Sequence, residues 1–91
     1  MFAAPIRYYV FTPHALDRIV ARDLSQSLIE SVLRNPEQRL PGRAGSVLLQ
    51  SRAVLGTREY LIRVVVDVRE EPSKVLTAYK TSRIARYWRI G

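Results

Sequence analysis

The chain's one histidine, His14, is followed by Arg18 and Arg22 at helical spacing, behind a helix start at Thr12-Pro13. Thr12 is a good N-cap, and Pro13 fits the first helical position, where its missing N–H costs nothing. At about 100° per residue, Arg18 lies about 40° and Arg22 about 80° from His14, while Ala15, Leu16, Ile19 and Val20 form the neighbouring apolar stripe. One ridge therefore carries a side chain that moves protons near neutral pH beside two fixed cations, a set suited to chemistry on a phosphate. The plainer alternative is a histidine bonded to backbone and two solvated arginines.

Metal-independent RNA cleavage asks little of a protein, because the attacking 2′-hydroxyl belongs to the substrate. A proton acceptor, a proton donor and cations that stabilise the phosphorane suffice. His14 can be base or acid, and Arg18, Arg22 and a sheet arginine can hold the phosphate. Tyr79, Lys80, Thr81 or Ser82 can donate a hydrogen bond or position the ribose, but which group performs the second proton transfer stays open. Other classes fall on inventory: the chain has no cysteine, no phosphate-binding glycine loop and no dinucleotide fingerprint. A single histidine leaves no zinc cluster, so neither metal nor cofactor is expected.

The elements that must position these residues follow from periodicity. The first helix is expected over 13–22. Asp23-Leu24-Ser25-Gln26 reads as a capping box opening a second helix to Arg34, where Leu28, Ile29, Val32 and Leu33 share a face and Glu30 and Arg34 form an i, i+4 pair. Residues 6–11 suggest a short strand, and Pro41-Gly42 marks a loop. Strands are expected over 46–52, 58–68 and 74–80 in meander order. In the second of them Tyr60, Ile62, Val64 and Val66 point one way and Leu61, Arg63 and Val65 the other. The predicted core is Leu16, Ile19, Leu28, Ile29, Val32, Leu33, Tyr60, Ile62, Val64 and Val66. The fold class is α+β, one domain over 1–91: two N-terminal helices on a three- to four-stranded antiparallel sheet, then a short C-terminal helical turn capped by Thr81 or Ser82. The second sheet face, carrying Arg63 and Arg52, is expected to be open.

Fifteen basic residues against eight acidic ones give a net charge of +7, and thirteen of the fifteen are arginine, whose planar fork matches phosphate oxygens. After Glu71 come Lys74, Lys80, Arg83, Arg86 and Arg89 with no acid, interleaved with Tyr79, Tyr87 and Trp88. That mixture suits backbone contact and base stacking, although packing of Tyr87 and Trp88 into the core explains the aromatics as well. The expected partners are RNA or an acidic protein, with Arg52, Arg63, Thr77, Thr81, Arg83 and Arg86 as nucleic-acid contacts. Apolar runs are far short of a membrane span, and the N-terminus lacks the order of a signal peptide, so a cytoplasmic protein is expected.

Four motifs in order carry a resemblance: Phe11-Thr12-Pro13-His14-Ala15-Leu16-Asp17-Arg18, Arg22-Asp23-Leu24-Ser25, Asn35-Pro36-Glu37, and Val75 to Ile84 with Tyr87-Trp88. The chain resembles the bacterial domain-of-unknown-function family 4258 over nearly its whole length. The resemblance implies the fold group of RelE/ParE-like toxins and colicin-type tRNases, with a toxin–antitoxin pair and an acidic antitoxin as the biological setting. By position it singles out His14, Arg18, Arg22, Thr77, Tyr79 and Lys80. Where the family often has Glu-Arg-Gly-Ile-Ser, this chain has Ala21-Arg22-Asp23-Leu24-Ser25, so the carboxylate that position 21 would supply to pair with the histidine or the second arginine is missing. A non-catalytic module that holds nucleic acid or an acidic protein is the rival reading.

Overall fold

The computed structural model describes residues 3–90. Its elements are β1 (Tyr9–Phe11), α1 (Pro13–Ala21), α2 (Gln26–Arg34), β2 (Gln38–Pro41), β3 (Ser46–Leu55), β4 (Arg58–Asp67), β5 (Ser73–Thr81) and α3 (Ile84–Tyr87). The class is α+β, and the sheet is five-stranded and mixed, in the order β1-β5-β4-β3-β2. The expected three- to four-stranded antiparallel sheet is thus corrected at both edges. The β3-β4-β5 meander is antiparallel, but β1 lies parallel to β5, with Tyr9 opposite Ser73 and Phe11 opposite Val75. At the other edge β2 pairs with β3 from Gln38 opposite Gln50 to Pro41 opposite Val47, where a loop was expected.

The β3–β4 turn follows from its sequence. Leu55 pairs with Arg58, leaving Gly56-Thr57 as a two-residue loop, and Gly56 takes the positive φ of 66° that such hairpins require.

One hydrophobic cluster joins Ala15 and Ile19 of α1, Leu24, Ile29, Val32 and Leu33 around α2, and Leu49, Ile62, Val64, Val66, Val75 and Ala78 of the sheet. Leu28 and Tyr60, predicted as core, pack on this cluster partly buried. Leu16 is 40% exposed and Val20 79% exposed, which corrects the wider stripe read for α1. This helix packs mainly on β5, so only the narrow i, i+4 row of Ala15 and Ile19 is covered. Truncating Ile62, fully buried on the central strand, to Ala is expected to cost about 2–5 kcal/mol. Denaturant unfolding measures this, and a loss under about 1 kcal/mol would show that its surroundings collapse without a cavity.

The helix boundary at Arg22-Ser25 also departs from expectation. Ser25, not Asp23, caps α2, its side chain accepting the Leu28 N–H at 3.1 Å. Asp23 instead ends α1 with φ 54°. Its N–H donates to Val20 O, and the Leu24 N–H to Ile19 O, the paired bonds of a Schellman motif, with Leu24 and Ile19 both buried. A glycine holds that left-handed position without Cβ strain. Asp23→Gly is therefore expected to stabilise the fold by about 0.5–1 kcal/mol, read as a raised melting temperature; a lowered one would mean that the aspartate side chain compensates locally. Glu30 likewise takes a different partner from the expected Arg34: it accepts the Tyr9 hydroxyl at 2.6 Å, tying α2 to β1. Burial first, and then the Glu30 carboxylate, raise the Tyr9 hydroxyl's pKa.

Candidate functional site

Past Phe11, β5 loses its partner strand on the β1 side, and side chains take over the edge. The Thr12 N–H and hydroxyl both donate to Val75 O, at 3.2 and 3.0 Å, while Thr12 Oγ1 accepts the Ala15 N–H to cap α1. Further along, Arg22 Nη1 donates to Ala78 O at 2.8 Å and to Thr77 Oγ1 at 3.2 Å. This pins the end of α1 to β5 and leaves Nε and Nη2 without a hydrogen-bond partner among the described residues. His14 and Arg18 are exposed on the same helix, and no hydrogen bond or ion pair among the described residues engages either side chain. The sequence-predicted ridge is thus a solvent-facing row anchored at one end.

The sheet splits the remaining predicted residues. A bulge at Val65/Val66 leaves Leu76 unpaired, so Val75 faces the core with Val66 while Thr77, Tyr79 and Thr81 face away with Val65, Arg63 and Leu61. Lys80 falls on the helix side, its Nζ 5.3 Å from the Tyr60 ring centroid. Tyr79 and Lys80 therefore point to opposite faces of the sheet, whereas Thr77 meets Arg22 at the edge.

The second sheet face is covered rather than open, which corrects the expectation of an open face. Leu61 is fully buried and Arg63 is 9% exposed, because the segment after β5 folds back over them. Its Tyr87 ring lies 4.3 Å from the Arg63 guanidinium carbon, and its Trp88 ring lies 4.4 Å from that of Arg52. Arg63 Nε donates to Gln50 Oε1 at 2.9 Å, and its Nη1 to the Tyr79 hydroxyl. Gln50 Nε2 donates to Gln38 Oε1 at 2.6 Å and to Tyr87 O at 3.1 Å. Gln38 in turn exchanges two bonds with the Arg89 backbone, at 2.6 and 3.0 Å. Gln38 and Gln50 had no part in the sequence reading. The available signal was Gln50 directly after the apolar run Val47 to Leu49, at a position that alternation places on the same face as Arg52.

Arg52 is exposed and pairs with Glu37, Nη2 to Oε2 at 2.9 Å. The hydrogen bonds from Arg52 hold the Glu37 carboxyl below its ordinary pKa. Thr81 Oγ1 accepts the Arg83 N–H, so Thr81 braces the turn into α3 without capping that helix, which has no side-chain cap. Arg83 and Arg86 are exposed, and Arg86 lies 5.6 Å from the Tyr87 ring centroid. Two open grooves of about 580 Å³ each lie elsewhere, one between the N-terminal segment and the β4–β5 turn, the other between α2 and β3; neither is lined by His14, Arg63 or Tyr79. Among the described residues no cluster of three His, Cys, Asp or Glu could hold a metal ion. No helix there is long and apolar enough to cross a membrane.

A small α+β domain with an arginine-lined helix and sheet is the class that fold and site define. Residues 11–80 match the family described as a domain of unknown function, DUF4258, and the chain belongs to it. No curated protein and no solved structure matches the chain.

Proposed function

We propose that this protein is a toxin-like RNA-binding domain, related to the RelE-like ribonuclease toxins, that grips single-stranded RNA along the α1 ridge and the adjoining edge of β5. The observation that carries the reading is the Arg22 anchor. One guanidinium nitrogen is spent on β5 while, among the described residues, the other donors stay free and Arg18 beside them is unpaired, next to an exposed His14. A guanidinium fixed in this way loses less freedom on meeting a phosphate. Exposed Arg83 and Arg86 past the end of β5 extend the cationic surface, and an acidic antitoxin would be its protein partner. Cleavage without metal is the second reading, favoured by the exposure of His14 within that same row. Fluorescence anisotropy with a labelled single-stranded RNA tests binding: Arg18→Ala and Arg22→Ala together are expected to weaken it about 10-fold or more, at roughly 1 kcal/mol per lost charged contact. Arg18 has no hydrogen-bond or ion-pair partner among the described residues, so its single variant separates contact from folding.

A further inference from the structure

A guanidinium stays charged at every pH at which a protein folds, and burying one without a counter-ion is costly. Arg63 is buried with neutral hydrogen-bond partners, Gln50 and Tyr79. The two ion pairs of the described residues, Glu37–Arg52 and Asp67–Arg69, do not involve it. Its neighbours on the same face are Gln50 and Tyr79 across the ladders and Leu61 and Val65 along the strand, and none is a carboxylate. Nη2 makes no hydrogen bond among the described residues, yet no fully buried polar side-chain atom lacks a partner. Nη2 therefore keeps some contact with solvent and has donors left for an anion.

The cover over this arginine is a short segment after β5. The helix α3 buries no residue. The segment stays down through two cation–π stacks, Tyr87 on Arg63 and Trp88 on Arg52, and through bonds from two glutamine side chains to backbone at Tyr87 and Arg89. A nucleobase offers the same π face as a tyrosine ring and carries a phosphate with it, so one nucleotide can satisfy both the stack and the charge of Arg63. We infer that Arg63 is the seat of one phosphate of a bound single-stranded RNA, and that Tyr87 and Trp88 hold the places of stacked bases until RNA displaces them. This rests on the RNA-binding reading and adds a second contact surface, on the sheet face away from the helices.

Trp88 is the chain's one tryptophan, so its emission reports on the cover. Titrating the protein with an octauridine at low salt is expected to change Trp88 emission as RNA binds. Arg63→Gln is expected to weaken binding about 10-fold and to lower the salt slope by about 0.7, the share of one phosphate on a single strand. Tyr87→Ala, which removes a competitor, is expected to tighten binding 3-fold or more. RNA that binds with unchanged Trp88 emission, or a Tyr87→Ala variant that binds more weakly, overturns the inference and leaves the RNA-binding reading standing. Failure of the wild-type protein to bind the octauridine removes both. If circular dichroism shows that Arg63→Gln does not fold, the Trp88 and Tyr87 readouts decide alone.

Discussion

His14→Ala is expected to abolish RNA cleavage while leaving the fold and most of the RNA affinity in place. The imidazole is exposed in the first turn of α1 and free of protein hydrogen bonds among the described residues, so its loss removes no packing. A positioned general acid or base contributes about 10²–10⁴-fold, and His14 is the chain's one histidine, the residue type that most often fills that role. The nucleophile would be the ribose 2′-hydroxyl, so products should carry a 2′,3′-cyclic phosphate and chelators should have no effect. End-group analysis of the products and single-turnover rates measure this. Cleavage at the wild-type rate by the variant, or none by the wild type, would leave a binding module without catalysis.

Affinity for RNA is expected to collapse with salt. Arginine supplies the excess charge, and contact with about four to six phosphates of a single strand gives a slope of roughly −3 to −4 in log affinity against log salt. Between 50 and 200 mM salt that is a loss on the order of 10²-fold. The cations available for it, Arg18, Arg22, Arg83 and Arg86, are exposed and outside the ion pairs of the described residues. Binding that holds constant across this range would assign the arginines to solubility instead.

The helices, the central meander and its apolar face were legible in the sequence because each is periodic over two turns or several strand residues. What escaped depends on partners far along the chain. Only three residues of β1 pair with β5, and nothing local to Tyr9-Val10-Phe11 specifies a parallel neighbour more than sixty residues away. In β2, Pro41 reads as a loop signal, yet it closes an edge strand, where its missing N–H is tolerated. The ridge of His14, Arg18 and Arg22 was readable from helical spacing alone. Its anchoring to Thr77 was not, because simple alternation puts Thr77 on the same face as Val75, and the bulge that separates them arises only when β5 pairs with β4. The burial of Arg63 was hidden for a similar reason: an arginine in a strand reads as solvated until the C-terminal aromatics fold over it.

The most direct test of RNA binding along the α1 ridge is the salt dependence of anisotropy with a labelled single-stranded RNA, compared between the wild type and the Arg18→Ala, Arg22→Ala double variant. Loss of two phosphate contacts predicts weaker binding and a slope smaller by about 1.4. Equal affinity and equal slope in the two proteins would contradict it.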